Sequence, residues 1–128
     1  MIRRTLPFFC LLALGGCADS LETTLGAPVQ LAPGQSAVIE DEELEVRFVG
    51  VASDSRCPSD VACLWTGEVV VQLAARKAGR TTQHEVREAQ SARVGDHTVT
   101  VLQVLPPRAS SQQTIARADY RVTLKVAR

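Results

Sequence analysis

The run Tyr120-Arg121-Val122-Thr123-Leu124-Lys125-Val126 decides the fold class. Tyr120, Val122, Leu124 and Val126 fall on one side of an extended chain, and Arg121, Thr123 and Lys125 on the other. A period of two is the pattern of a strand with one face in the core and one in water. The same alternation recurs upstream, where Leu44, Val46 and Phe48 interleave with Glu45, Arg47 and Val49. Between residues 67 and 75, Val69-Val70-Val71 and Leu73 make an almost continuous apolar run, which predicts a strand covered on both faces. Shorter candidates are Val29 with Leu31, Ala37-Val38-Ile39, Thr81 to Val86 and Thr98 to Leu105. Turn chemistry separates them. Pro33-Gly34, Arg76-Lys77-Ala78-Gly79 and Gly95-Asp96 read as turns, and Pro106-Pro107 ends a strand because proline cannot donate to a ladder. Valine dominates the apolar set, and its branched Cβ suits the pleated sheet. No segment carries a 3.6-residue stripe, and 89–93 has room for one helical turn at most. The expectation is an all-β chain: a single small antiparallel sandwich or barrel of about seven strands over residues 28–128.

The N-terminus has a different character. Arg3 and Arg4 precede the apolar stretch Leu6 to Leu14, and Leu14-Gly15-Gly16-Cys17 closes it. A positive end, a short apolar run and small residues are the layout of an export signal. The run is about nine residues, where a spanning helix needs roughly twenty. An ordinary signal peptide cut nearby would leave Cys17 incidental, but Leu14 to Cys17 resembles a bacterial lipobox. That resemblance implies removal of residues 1–16, a diacylglycerol thioether on Cys17 and acylation of its amine. It places the protein in the cell envelope, membrane-bound through the lipid on Cys17. Ala18, rather than an acid, follows the cysteine and favours the outer membrane of a two-membrane cell. Residues 17–27 then read as lipidated cysteine plus flexible tether, which would let the domain stand off the membrane.

Loss of 16 of the 128 residues, including two arginines and no acids, leaves 112 residues and a formal net charge of −2. That length supports one domain with one core. Scattered charges of both signs argue against a nucleic-acid partner, which needs a basic stripe. The aromatics left are Phe48, Trp65 and Tyr120.

With Cys17 taken by lipid, Cys57 and Cys63 remain in an oxidising compartment and are expected to pair. The bridge closes a seven-residue ring, which contributes roughly 2–2.5 kcal/mol in the chain-entropy model. Five intervening residues and a proline suit a static bridge better than the Cys-x-x-Cys spacing of redox catalysts. The surrounding Asp54-Ser55-Arg56-Cys57-Pro58, four residues, Cys63, Trp65 and Gly67 resemble a motif of small, mostly uncharacterised bacterial lipoproteins. The resemblance implies a common β domain and brings no activity with it. Trp65 reads as a core side chain packed near the bridge; the sharper reading makes it a partly exposed aromatic in a ligand site beside Arg56. Asp54 reads as a turn cap, with Arg56 paired to it or to Asp60. As a contact surface, Asp54, Arg56, Asp60 and Trp65 would form a rim that recognises a partner.

Other chemistry is sparse. Glu40-Asp41-Glu42-Glu43 and Glu45 could offer oxygens to calcium, yet consecutive acids in a hairpin usually point apart into water. His84 and His97 with Cys57 and Cys63 would give a zinc set only if the thiols were reduced. His84 is expected on an exposed strand face and His97 in a turn. No catalytic or phosphate-binding motif occurs, and no cofactor or metal is expected. A hydrolase would have to use carboxylates near Trp65, with Asp54, Asp60 and Glu68 the candidates by neighbourhood. The favoured expectation is a non-enzymatic module that binds an envelope protein or polymer through the Cys57–Cys63 loop. The alternative is a purely structural or stress-related lipoprotein.

Overall fold

The computed structural model describes residues 20–128. The leader and the Cys17 lipidation position lie outside the described residues. Nine strands follow in order: β1 (Ser20–Thr23), β2 (Val29–Leu31), β3 (Ser36–Ile39), β4 (Leu44–Asp54), β5 (Val69–Lys77), β6 (Arg80–Arg87), β7 (Ser91–Val94), β8 (His97–Leu105) and β9 (Arg121–Ala127). A 3-10 turn at Arg117–Asp119 precedes β9. Among the described residues no helix is long and apolar enough to cross a membrane.

The strands form two sheets, ordered β1-β3-β4-β5-β6 and β2-β9-β8-β7. The chain is a small all-β sandwich. Its core is the set of inward residues that the alternation marks: Leu44, Val46 and Phe48 of β4, Val69, Val71, Leu73 and Ala75 of β5, Val99 and Val101 of β8, and Val122, Leu124 and Val126 of β9. Strand β5 is central, yet it is covered fully on one face only. Val70, Gln72 and Ala74 on its other face are half-buried, so the near-continuous valine run reflects β propensity rather than burial on both sides.

The turns are those the sequence marks. Ala78-Gly79 joins β5 to β6 with Lys77 opposite Arg80, and both turn residues have positive φ, +50° and +80°, as a type I′ hairpin requires. Gly95-Asp96 joins β7 to β8 with Val94 opposite His97.

Two expectations are corrected. Residues 89–93 hold no helical turn; Ser91–Val94 is the edge strand β7, with Ala92 and Val94 turned inward and Ser91 and Arg93 outward. The stretch read as tether, 17–27, is not all tether. Ser20–Thr23 pairs in parallel with β3, Ser20 opposite Ser36 and Thr23 opposite Ile39. The edge of β3 would otherwise leave its backbone groups unpaired. The Gly26 amide then donates to Val126 O at 2.7 Å, tying this segment to the second sheet as well.

Candidate functional site

The β4–β5 connection, residues 55–68, projects beyond the sandwich as a hairpin arm. Its base continues the β4–β5 pairing: the Ser55 amide donates to Glu68 O at 2.7 Å and the Cys57 amide to Thr66 O at 2.9 Å. Gly67 has φ +67°, and a Cβ there would lie 1.8 Å from Ser55 O. Only glycine fits where the two chains close. Beyond this point Cys57 and Cys63 are joined by a disulfide.

At the root of the arm lies a charged network. Arg56 Nε donates to Asp54 Oδ1 at 2.9 Å and Nη2 to Oδ2 at 2.8 Å. The guanidinium also donates to Val104 O and Pro106 O, at 3.2 and 3.0 Å, reaching the end of β8. Tyr120 Oη donates to Asp54 Oδ2 at 2.9 Å. The Asp54 and Arg56 side chains are only 9% and 13% exposed. Burial pushes the Asp54 carboxyl up, but the hydrogen bonds from Arg56 and Tyr120 outweigh it and hold the group below the usual carboxylate range. The same bond raises Arg56 against the desolvation that opposes it, and burial followed by the Asp54 contact raises Tyr120. Of the two readings for this pair, the geometry matches the turn cap: the Arg56 amide also donates to Asp54 Oδ1, at 3.3 Å. Asp54 and Arg56 build the arm and do not face outward as a recognition rim.

Asp60 is likewise engaged within the chain. It accepts from the Ser111 amide at 2.8 Å and from Ser111 Oγ at 3.2 Å, while the Ser59 amide donates to Arg108 O at 3.1 Å. The arm is thus strapped to the loop that follows Pro107. Arg56 does not pair with Asp60.

Trp65 is where the core reading fails. It is 76% exposed, and its neighbours Leu64 and Val61 are fully exposed and 44% exposed. The core bulk it was expected to supply comes from Phe48 and Tyr120. Strand β5 begins only at Val69, after the left-handed Gly67 has turned the chain. Residues 63–65 therefore do not extend an inward-facing strand. Leu64, which the sequence does not single out, is the most exposed large apolar residue at the tip.

The carboxylates considered for catalysis do not meet in an open cleft. Asp54 is held by Arg56 and Tyr120, Asp60 by Ser111, and Glu68 faces Arg87 Nε at 2.7 Å.

At the opposite end of the sandwich, His97 is fully buried rather than set in an open turn. Its Nε2 lies 2.8 Å from Glu42 Oε2, and Nδ1 lies 2.8 Å from Lys77 Nζ. The ammonium can only donate, so Nδ1 accepts and Nε2–H points at Glu42. Glu42 is drawn out of the acidic run into this contact, so those acids do not all point into water. Lys77 continues to Asp96 at 3.1 Å; its hydrogen bond lowers the Asp96 carboxyl to about 2. Among the described residues no cluster of His, Cys, Asp and Glu is arranged to hold a metal ion. His84 lies on the core-facing side of β6, opposite Leu73 and half-buried rather than on an exposed face, with Nε2 2.8 Å from Thr82 Oγ1.

A second surface feature is a shallow depression on the outer face of the first sheet, where Arg47, Arg76 and Arg117 approach one another beside Glu45. Glu45 lies 3.7 Å from Arg76, and Arg117 donates to Val49 O at 3.3 Å.

No protein-family model matches the chain, and no curated protein or solved structure shows significant similarity to it.

Proposed function

We propose that the protein is a lipid-anchored, non-enzymatic β domain of the cell envelope that engages its partner through the tip of the 55–68 arm. The observation that carries this reading is the display of Val61, Leu64 and Trp65 to solvent on an arm closed by a disulfide and a part-buried Asp54–Arg56 pair. Exposed aromatic and aliphatic side chains in a cluster mark contact surfaces. A pre-ordered loop loses little entropy on contact. The lipobox-like Leu14 to Cys17 supports attachment at Cys17, with the outer membrane favoured by Ala18. The Asp54 to Gly67 motif supports a place among the small lipoproteins it resembles.

The test is a photo-crosslinking residue at position 64 in the cell that makes the protein, with mass spectrometry of Cys17 alongside. Adducts with an envelope component and a lipid-modified Cys17 are expected. A chain that forms no adduct at the tip overturns the reading.

A purely structural lipoprotein is the second reading, and the part-buried Asp54–Arg56–Tyr120 network favours it, since that network serves folding. On that reading, replacing Leu64 and Trp65 leaves every envelope phenotype of the protein unchanged.

A further inference from the structure

On the outer face of the first sheet the strand register gathers charge around a gap. Arg47 of β4, Ala74 of β5 and Gln83 of β6 stand level across the sheet, and Glu45, Arg76 and Thr81 stand level in the neighbouring outward row. Ala74 carries only a methyl group. The space between Arg47, Arg76 and Gln83 is therefore open, and it forms the depression on this face.

Arg117 reaches the same depression from the 3-10 turn. Its guanidinium lies against Gly50, where a Cβ would stand 3.4 Å from both Nε and Nη2. Nη2 donates to Val49 O at 3.3 Å. That bond engages one of the five N–H donors of an arginine, so Arg117 is positioned with most of its fork open. Among the described residues, Arg47 and Arg117 form no ion pair. Glu45 is the one acid lining the depression, and it stands 3.7 Å from Arg76. Arg87, on the same outer face, is by contrast matched by Glu68 at 2.7 Å.

Three cations around one hollow repel one another, and folding does not call for them there. All three are exposed, and the core lies on the other face of the sheet. An anion held between them offsets that repulsion. Guanidinium forks match the paired oxygens of phosphate and carboxylate. Three forks against a single acid suit an anion that carries more than one charge and presents oxygens in several directions. Thr81 and Gln83 line the β6 side with a hydroxyl and an amide, which can bond to polar groups next to that anion.

We propose that this depression is a phosphate-binding site, in which Arg47, Arg76 and Arg117 hold the phosphate group of a soluble ester or of a lipid headgroup. It is a different surface from the tip of the 55–68 arm, and it holds whether or not that tip has a partner.

The test uses the Cys17→Ser chain, so that no acyl chain at that position holds it to vesicles. Titration calorimetry at low ionic strength with pyrophosphate and with glycerol phosphate probes the soluble source. Cosedimentation with phosphatidylglycerol vesicles, against phosphatidylcholine vesicles, probes the lipid source. Saturable binding is expected in at least one arm, and that arm names the source. Arg47→Gln and Arg117→Gln should each weaken it about tenfold. Glu45→Gln, which removes the competing carboxylate and frees Arg76, should tighten it about threefold. Arg87→Gln, an equal loss of charge outside the depression, should leave it unchanged. All four side chains lie on the outer face, so the variants keep the fold. No saturable binding in either arm overturns the proposal. So does binding that survives Arg47→Gln and Arg117→Gln, or that falls as far in Arg87→Gln, since net charge alone would then account for it.

Discussion

Arg56 grips Asp54 through two guanidinium nitrogens, at 2.9 and 2.8 Å, although the residues stand only two apart in the chain. The grip is shared: the same guanidinium reaches Val104 O and Pro106 O across the sandwich, and Tyr120 holds the other side of the carboxylate. A local pair thereby joins the root of the arm to both sheets. Removing one partner leaves the other charge buried and unmatched. Arg56→Ala is therefore expected to cost about 3 kcal/mol or more, measured by urea unfolding. Tyr120→Phe, which deletes one hydroxyl, should cost nearer 1 kcal/mol.

The same carboxylate sets an acid limit. Asp54 titrates lower in the folded chain than in the unfolded one, so its contribution is fully present above the unfolded pKa of about 3.9. It is lost as pH falls through the folded value. Unfolding free energy measured from pH 6 down to pH 2 should drop for the wild type in the lower part of that range. In Asp54→Asn, less stable throughout, that part of the drop should be missing. An unchanged acid slope in the variant would assign the acid sensitivity to other groups.

The strands were legible because period-two alternation is a local signal, carried by residues such as Tyr120, Val122, Leu124 and Val126, all buried. Strands β1 and β7 were not, because Leu21 alone in β1 and Ala92 with Val94 in β7 give little apolar signal, and their pairing is decided by neighbouring edges. The role of Asp54 as a turn cap was readable from its position before a tight ring. That Arg56 would also bond carbonyls 48 and 50 residues away was not. The scarcity of aromatics pointed Trp65 inward, and the positive φ at Gly67, invisible in the sequence pattern, sends it outward. His97 and Glu42, 55 residues apart, meet only through the stacking of two sheets.

That buried pair separates Glu42 from the acids beside it. Glu42→Ala removes the acceptor from the buried His97 Nε2. A loss of about 1–3 kcal/mol follows from the unsatisfied group. Glu40→Ala, on an exposed position of the same turn, should stay within about 0.5 kcal/mol of wild type. Thermal denaturation of the two variants side by side checks this; equal losses would remove His97 from the account.

Closure and display of the arm should be separable by mutation. Gly67→Ala forces a Cβ onto Ser55 O and a non-glycine residue into φ +67°, and should cost more than about 2 kcal/mol. Trp65→Ala and Leu64→Ser remove side chains that lie largely in solvent. Their effect on unfolding should stay within about 0.5 kcal/mol, while contact with the tip's partner is lost. The arm is then a rigid holder for a dispensable load, as far as folding is concerned. A large stability loss in Trp65→Ala would mean instead that the indole packs against the domain, and the tip would lose its claim to be a contact surface.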